Sequence, residues 1–255
     1  MKKMTVGIVG FGKTGQFVVH EFLKDPFFEV LWVIRKSNKS TDKFASNLLG
    51  YEESFAPIFS VNEVDSTFFR EQQVDIIIDF SDAAGYHIYQ QAVKDGTKLV
   101  SAISKYEAAD IAALQQLSTH AAVLYSPNIT LGINVLLLGS KILQKIAPHA
   151  DIEIIEEHFR AKNETSGTAL KIAQALSLDA EKHVNSIRVG GIIGKHEVIF
   201  GLPNQTIRLI HESISKAAFG QGAIFAAKAL QFKPNGMYTM EKIIADMFDS
   251  SQPVY

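Results

Sequence analysis

His158 stands four residues before Lys162 in the run Glu153–Ala169, EIIEEHFRAKNETSGTA, which continues through Ser166-Gly167-Thr168 into an apolar helix. An imidazole titrates near neutrality and can hand a proton to a substrate. An ammonium and the exposed N–H groups of a first helical turn attract an anion such as a carboxylate. Together these groups suit proton transfer to an acidic small molecule. The same residues would also serve a solvent-facing strand followed by a helix capped by Ser or Thr. A second site is needed to choose between the two.

That second site lies at the N-terminus. Thr5–Val9 is a short β-branched run, followed at once by Gly10-Phe11-Gly12-Lys13-Thr14-Gly15 and then by a helical stretch from Gln16 to Leu23. Strand, G-x-G-x-x-G and helix in that order form a dinucleotide fingerprint. The first glycine permits the turn, the second lets backbone approach a pyrophosphate, and the third lets helix pack on strand. Lys13 suits either a cation at the phosphates or a solvated loop lysine. The next strand, Phe28–Ile34, ends in Arg35-Lys36-Ser37. An NAD-specific fold carries an acid there for the ribose 2′-hydroxyl, whereas arginine grips a 2′-phosphate through its planar fork. The expected cofactor is therefore NADPH in preference to NADH.

The elements that must position these residues fall into two patterns. Val74–Phe80, Lys98–Ile103 and Ala121–Tyr125 are continuous apolar runs of the kind buried in parallel sheets, with helical stretches at His87–Asp95 and Ala108–Leu117 between them. This alternation predicts an α/β, Rossmann-type doubly wound sheet with its ligand at the carboxyl ends of the strands. Phe80, Ser81, Ala102, Ser104 and Asn128 fall at such ends and are expected to line the cofactor groove. After Pro127-Asn128 the pattern changes. A long helix runs to about Ile146, a strand spans Asp151–Phe159 and a helix Gly167–Ala180. Strands follow at Ser186–Ile193, His196–Phe200 and Thr206–Ser213, separated by glycine turns. These predict an α+β domain with a mixed, partly antiparallel sheet. Helical patterns at Ile224–Leu230 and Met240–Phe248 suggest that the tail returns to the first domain. The expected organisation is thus 1–127 completed by 225–255, with 128–224 as the substrate-binding domain, to which the resemblance described below adds oligomerisation.

Composition narrows the chemistry further. The 255 residues are 47% apolar and 20% charged, with a formal net charge of −2. That balance gives no reason to expect nucleic-acid or membrane binding. With no cysteine, disulfides, thiolate metal sites and cysteine nucleophiles are excluded. No close set of histidines and carboxylates has the spacing of a metal site. The opening MKKMTVGIVGFG is too short an apolar run for a signal sequence or a membrane span, so a cytoplasmic protein is expected.

Nearly the whole chain resembles the 4-hydroxy-tetrahydrodipicolinate (dihydrodipicolinate) reductase family of diaminopimelate and lysine biosynthesis. The resemblance rests on GFGKTG, IIIDFSDAAG at Ile76–Gly85, PNITLGINV at Pro127–Val135, EIIEEHFRAKNETSGTA, SIRVGGIIGKHEVIFG at Ser186–Gly201 and FGQGA at Phe219–Ala223. It implies NAD(P)H-dependent reduction of a six-membered nitrogen ring carrying two carboxylates, by hydride delivery, loss of a hydroxyl as water and protonation of a neighbouring carbon. It implies a homotetramer as well. By the same resemblance His158 and Lys162 are the catalytic pair, and Ser166, Gly167 and Thr168 hold a substrate carboxylate. Gly10, Gly12, Lys13 and Gly15 match the nucleotide loop, and Asn128 stands on the nicotinamide side. Three departures from the family pattern are legible. Phe159 replaces a frequent second histidine. Glu164-Thr165 stands one residue short of the usual D-x-P. Ala102-Ile103-Ser104-Lys105 replaces a G-T-T-G loop. The altered loop keeps a related amino-acid dehydrogenase as an alternative, and a non-enzymatic NADPH-binding protein is a second.

Overall fold

The computed structural model describes residues 2–36 and 43–249, so Ser37, expected beside the 2′-phosphate, lies outside the described residues. The chain divides into two compact units, Met1–Ile129 with Phe219–Tyr255, and Thr130–Ala218.

In the first unit, with elements numbered along the chain, the strands are β1 (Met4–Val9), β2 (Phe28–Arg35), β3 (Ile58–Ser60), β4 (Ile76–Asp79), β5 (Lys98–Ser101), β6 (Ala122–Tyr125) and β11 (Gly236–Tyr238). They form one sheet in the order β3-β2-β1-β4-β5-β6-β11, and every pairing is parallel. Helices α1 (Gly15–Lys24), α2 (Ala45–Leu48), α3 (Ser66–Glu71), α4 (Tyr86–Lys94) and α5 (Ala108–Leu117) connect the strands. The strand order reverses direction between β1 and β4, which is the switch point where such folds bind ligands. Burial explains the continuous apolar runs: Ile76, Ile77 and Ile78 have no exposed surface at all. Each contributes roughly 1.5–3 kcal/mol on burial.

Several pieces of this unit escape sequence reading. β3 and β11 are three residues each, too short to show a period, and α2 and α3 are similarly brief. The tail helix α9 begins at Ala217, seven residues before the expected Ile224. Gly220 and Gly222 interrupt its helical pattern in the sequence, but a Cβ at Gly220 would stand 2.8 Å from the Glu21 side chain of α1. The glycine permits two helices to touch. α10 (Met240–Asp249) closes the described tail.

The second unit contains α6 (Leu131–Ile146), β7 (Asp151–His158), α7 (Gly167–Ala175), α8 (Ala180–His183), β8 (Val184–Arg188), β9 (Lys195–Leu202) and β10 (Gln205–Glu212). Its sheet runs β10-β9-β7-β8, parallel only between β7 and β8, so it is mixed as expected. Ile133, Leu136 and Leu137 of α6 pack with Ile172 and Leu176 near α7 against Ile152, Ile154, Val198 and Phe200 of the sheet. Two boundaries differ from expectation. The helix predicted to Ala180 stops at Ala175, because Ser177 takes a left-handed backbone (φ 57°) and Asp179 caps a new short helix. The strand predicted to Ile193 stops at Arg188, where Gly190 (φ 53°) turns the chain and its carbonyl accepts from Arg160 N–H.

Candidate functional site

In the nucleotide loop the three glycines meet three different surroundings. Gly10 has φ 104°, and a Cβ there would lie 2.6 Å from the Phe80 backbone of β4's exit. At Gly15 a Cβ would lie 2.1 Å from the Gly10 carbonyl. Gly12 has nothing within 4 Å of that position, so its backbone faces open space. This is the division of labour a pyrophosphate loop requires. Phe11 is buried and Lys13 exposed. Thr14 precedes α1 without capping it. Arg35, half-buried, ends β2, and exposed Lys36 follows it.

Beside this loop, at the carboxyl ends of the strands, lies a cavity of about 800 Å³ lined by Thr14, Phe80, Ser81, Ala102, Ser104 and Phe219 among others. Thr14 of the glycine loop and Phe80, Ala102 and Ser104 at strand ends are thus brought together around one cavity. Asn128 is half-buried between Pro127 and Ile129, which line the same cavity, and its carbonyl accepts from Ser126 Oγ at 2.6 Å. A second hollow of about 560 Å³, lined by residues such as Lys3, Asp75 and Lys98, sits at the amino ends of the strands. Parallel sheets do not place their ligands there.

Beneath the cavity the last residue of β4, Asp79, is wholly buried. Its carboxylate accepts from Ser81 N–H at 2.8 Å, Ser81 Oγ at 2.6 Å and Tyr89 Oη at 2.5 Å. Burial pushes its pKa up to about 6, against the lowering effect of those hydrogen bonds. Ser101 Oγ and Tyr106 Oη share a hydrogen bond of 3.1 Å nearby, and burial raises the Tyr106 phenol as well.

The acid–base candidates are in the second unit. On β7, Ile152, Ile154, Glu156 and His158 are the buried residues of a strict alternation, so a face that begins apolar ends polar. Register carries this change across the sheet: Ser186 of β8, Glu156 of β7, His196 of β9 and His211 of β10 stand in one row. Glu156 is the hub. Its Oε2 accepts from Arg188 Nη1 at 2.8 Å and lies 2.5 Å from His158 Nδ1. Its Oε1 accepts from Arg188 Nη2 at 2.6 Å, Ser186 Oγ at 2.7 Å and Ser166 N–H at 3.1 Å. Burial alone would raise the Glu156 pKa, but the hydrogen bonds from Arg188, Ser186, His158 and Ser166 hold it down at about 2. An ionised carboxylate only accepts, so Nδ1 of His158 carries a proton. Nε2 is the ring nitrogen that Glu156 does not engage. A Cβ at buried Gly194 would stand 3.1 Å from Nε2.

Ser166 does not cap α7 as its type suggests. It occupies the N-cap position, but its hydroxyl pairs with His196 Nε2 at 2.8 Å. Ser166 therefore makes no side-chain capping bond to α7. Gly167 is exposed with open space around it, and Thr168 and Lys162 are half-buried. Burial, with His158 close by, lowers the His196 pKa to about 4, so this imidazole is neutral at physiological pH. The His158 and His196 rings meet edge to face at 5.3 Å. His211 packs on Gly132, where a Cβ would collide with the ring at 2.3 Å. Phe159 follows β7 with 43% of its surface exposed. Sequence reading missed Glu156 and its ion pair with Arg188. The signal was present in the alternation of β7, which puts Glu156 and His158 on one face.

Residues 4–129 match the N-terminal part of dihydrodipicolinate reductase and residues 132–244 its C-terminal part. A 4-hydroxy-tetrahydrodipicolinate reductase of Caldanaerobacter subterraneus is 30% identical, over 91% of this chain and 94% of that protein. The enzyme of the same name from Rickettsia rickettsii is 32% identical over 80% and 95%. Among solved structures, dipicolinate-bound dihydrodipicolinate reductase from a Paenisporosarcina species shares the fold with a TM-score of 0.77 at 20% identity, covering 95% of this chain and 100% of that one. Diaminopimelate dehydrogenase of C. glutamicum also shares it, at 0.58 and 14% identity, over 99% and 100%. With a pyrophosphate-type glycine loop, an imidazole paired to a buried carboxylate, and sequence matches along both units, the chain belongs to the dihydrodipicolinate reductase family of NAD(P)H-dependent oxidoreductases.

Proposed function

We propose that this protein reduces 4-hydroxy-tetrahydrodipicolinate, with NADPH preferred over NADH and with His158 and Lys162 as its catalytic residues. The observation that carries the reading is the His158–Glu156 pair, whose carboxylate also accepts from the N–H of Ser166 at the start of α7. A dinucleotide fits the first unit, because open backbone at Gly12 and tight packing at Gly10 and Gly15 suit a pyrophosphate, and the 800 Å³ cavity adjoins that loop. The residues that would hold it are Gly10, Phe11, Gly12, Lys13, Thr14 and Gly15 at the phosphates, and Phe80, Ala102, Ser104 and Asn128 toward the nicotinamide. Arg35 and Lys36 would take the 2′-phosphate. Bound there, the cofactor supplies a hydride.

The chain's own residues supply binding and the proton. Lys162 pairs with one substrate carboxylate, and the first N–H groups of α7 at Gly167 and Thr168, with the Thr168 hydroxyl, receive the other end of that charge. Ser166 acts from beneath: its N–H and hydroxyl are engaged by Glu156 and His196, so it shapes the loop that presents those N–H groups. His158 delivers a proton from Nε2 to the carbon next to the reduced centre. Before that, the substrate's hydroxyl leaves as water together with a hydrogen of the adjacent ring carbon, which forms the double bond that hydride and proton then reduce. The proposal includes a homotetramer, supported by Ile187 and Ile210, which are 43% and 55% exposed on strands of the second sheet. A cytoplasmic setting is also proposed. Among the described residues no helix is long and apolar enough to cross a membrane.

The test couples this protein to a dihydrodipicolinate synthase and follows NADPH and NADH oxidation for the wild type and His158→Gln. The expected result is turnover with higher kcat/KM for NADPH, and a kcat reduced about 10²–10⁴-fold in the variant. Full activity of His158→Gln would remove the assigned role, and a clear NADH preference would remove the cofactor assignment.

A further inference from the structure

We infer that Glu156 and Arg188 form a positioning pair that holds both catalytic candidates, His158 and Lys162, from behind. The inference rests on the reading above and adds to it two residues that touch no reacting atom. Glu156 has no exposed side-chain surface and the Arg188 side chain is 18% exposed. The pair is bidentate: Nη1 reaches Oε2 and Nη2 reaches Oε1. Such a fork fixes the plane of the carboxylate as well as its distance. The fixed plane presents Oε2 to His158 Nδ1 and Oε1 to the N–H of Ser166, where α7 begins.

Arg188 extends the arrangement in the other direction. Its Nε donates to the Lys162 carbonyl at 2.9 Å and its Nη2 to the Glu164 carbonyl at 2.8 Å. One guanidinium thus ties the backbone of the Lys162 loop to the carboxylate that orients His158. The loop is the place where this chain is one residue shorter than the family pattern, and Arg188 clasps it at two carbonyls. A lysine at 188 would keep the charge but lose the fork.

The chemistry follows from the wiring. While Glu156 accepts from Nδ1, the transferable proton of His158 is confined to Nε2. Replacing an orienting carboxylate by its amide lets the imidazole adopt the wrong tautomer, a defect that elsewhere costs up to about 10⁴ in kcat. Here the cofactor carries the hydride, so a smaller loss of about 10²-fold is expected for Glu156→Gln. Its KM for NADPH should stay within about twofold, because every nucleotide-loop residue is in the first unit. Arg188→Lys should raise the KM for the dicarboxylate about tenfold, with kcat falling less.

Steady-state kinetics on these two variants and on His158→Gln, with ¹⁵N-histidine NMR of the wild type and Glu156→Gln, test the pair. A protonated Nδ1 at His158 in the wild type, replaced by mixed tautomers in Glu156→Gln, is the expected signature. If Glu156→Gln fails to fold, Glu156→Gln with Arg188→Gln removes both charges together, and the same loss of kcat is expected. A bare Nδ1 in the wild type, or near-normal kcat in whichever of these variants folds, overturns the inference. A crippled His158→Gln beside a healthy Glu156→Gln overturns it alone. A fully active His158→Gln overturns the reading beneath it.

Discussion

Asp79 in the first unit and Glu156 in the second are both wholly excluded from water, yet they titrate in opposite directions. Each accepts several hydrogen bonds, and for each burial is the largest single influence, acting to raise the pKa. Asp79 receives only neutral donors, from Ser81 and Tyr89, with the charge of Asp82 nearby, and rises to about 6. Glu156 receives neutral donors together with the Arg188 guanidinium and settles at about 2. Desolvation sets the penalty for a buried charge, and a formal countercharge decides whether that penalty is reversed. The first unit therefore holds a carboxylate able to change charge near pH 6. The second holds one that stays ionised throughout the physiological range.

Arg188→Met should have the largest effect on this contrast. It leaves Glu156 buried without its partner, which is expected to destabilise by about 3–5 kcal/mol. Its pH dependence should also reverse. In the wild type the folded pKa of Glu156 lies below its ordinary 4.5. The stabilisation, about 3 kcal/mol, is therefore complete above pH 4.5 and lost as pH falls through about 2. In the variant Glu156 should behave like Asp79 and weaken the fold as pH rises. Denaturant midpoints measured at pH 3, 5 and 7 check this, and a variant that keeps the wild-type slope would contradict it.

Asp79→Asn is expected to act in the opposite sense. A folded pKa raised from 3.8 to about 6 means stability that is fully present below pH 3.8 and lost as pH rises through 6. The amide cannot ionise, so thermal melting at pH 7.5 should show a gain of about 2 kcal/mol after some loss of hydrogen bonding. The slope between pH 4 and 7 should flatten. An equal or lower melting temperature at pH 7.5 would mean that the neutral donors already compensate the charge.

Gly194→Ala should have the smallest effect on stability. The added methyl stands 3.1 Å from His158 Nε2, so the neighbour must shift by a few tenths of an ångström, at a cost of about 1 kcal/mol. Under the proposed role of His158 its effect should instead fall on catalysis, with kcat down about tenfold as Nε2 is displaced. An unchanged kcat in a stably folded variant would argue that the proton leaves from elsewhere.

The two units also differ in how much could be read before folding. β4 and β5 announce themselves because the central positions of a strand buried on both faces are apolar, and the G-x-G-x-x-G loop encodes its turn, its approach and its packing in three nearby residues. The candidates His158, Lys162 and Ser166-Gly167-Thr168 stand out for the same reason, since they occupy one short segment. Glu156 and Arg188 are 32 residues apart, and Glu156 had no visible partner until β7 and β8 paired. Nor could the sequence reveal that Ser166 would turn from capping α7 to His196, because that choice depends on a histidine 30 residues later in the chain.

By itself, then, the sequence determined the class of each unit, the nucleotide loop and the identity of the family, because local propensity, periodicity and short motifs act over a few residues. Only the tertiary structure decided which carboxylate faces which cation, that Ser186, Glu156, His196 and His211 share one row, and where Gly194 and Gly220 leave room. Those outcomes depend on strand register and on contacts between distant segments, where a shift of one residue would send every side chain to the opposite face of the sheet.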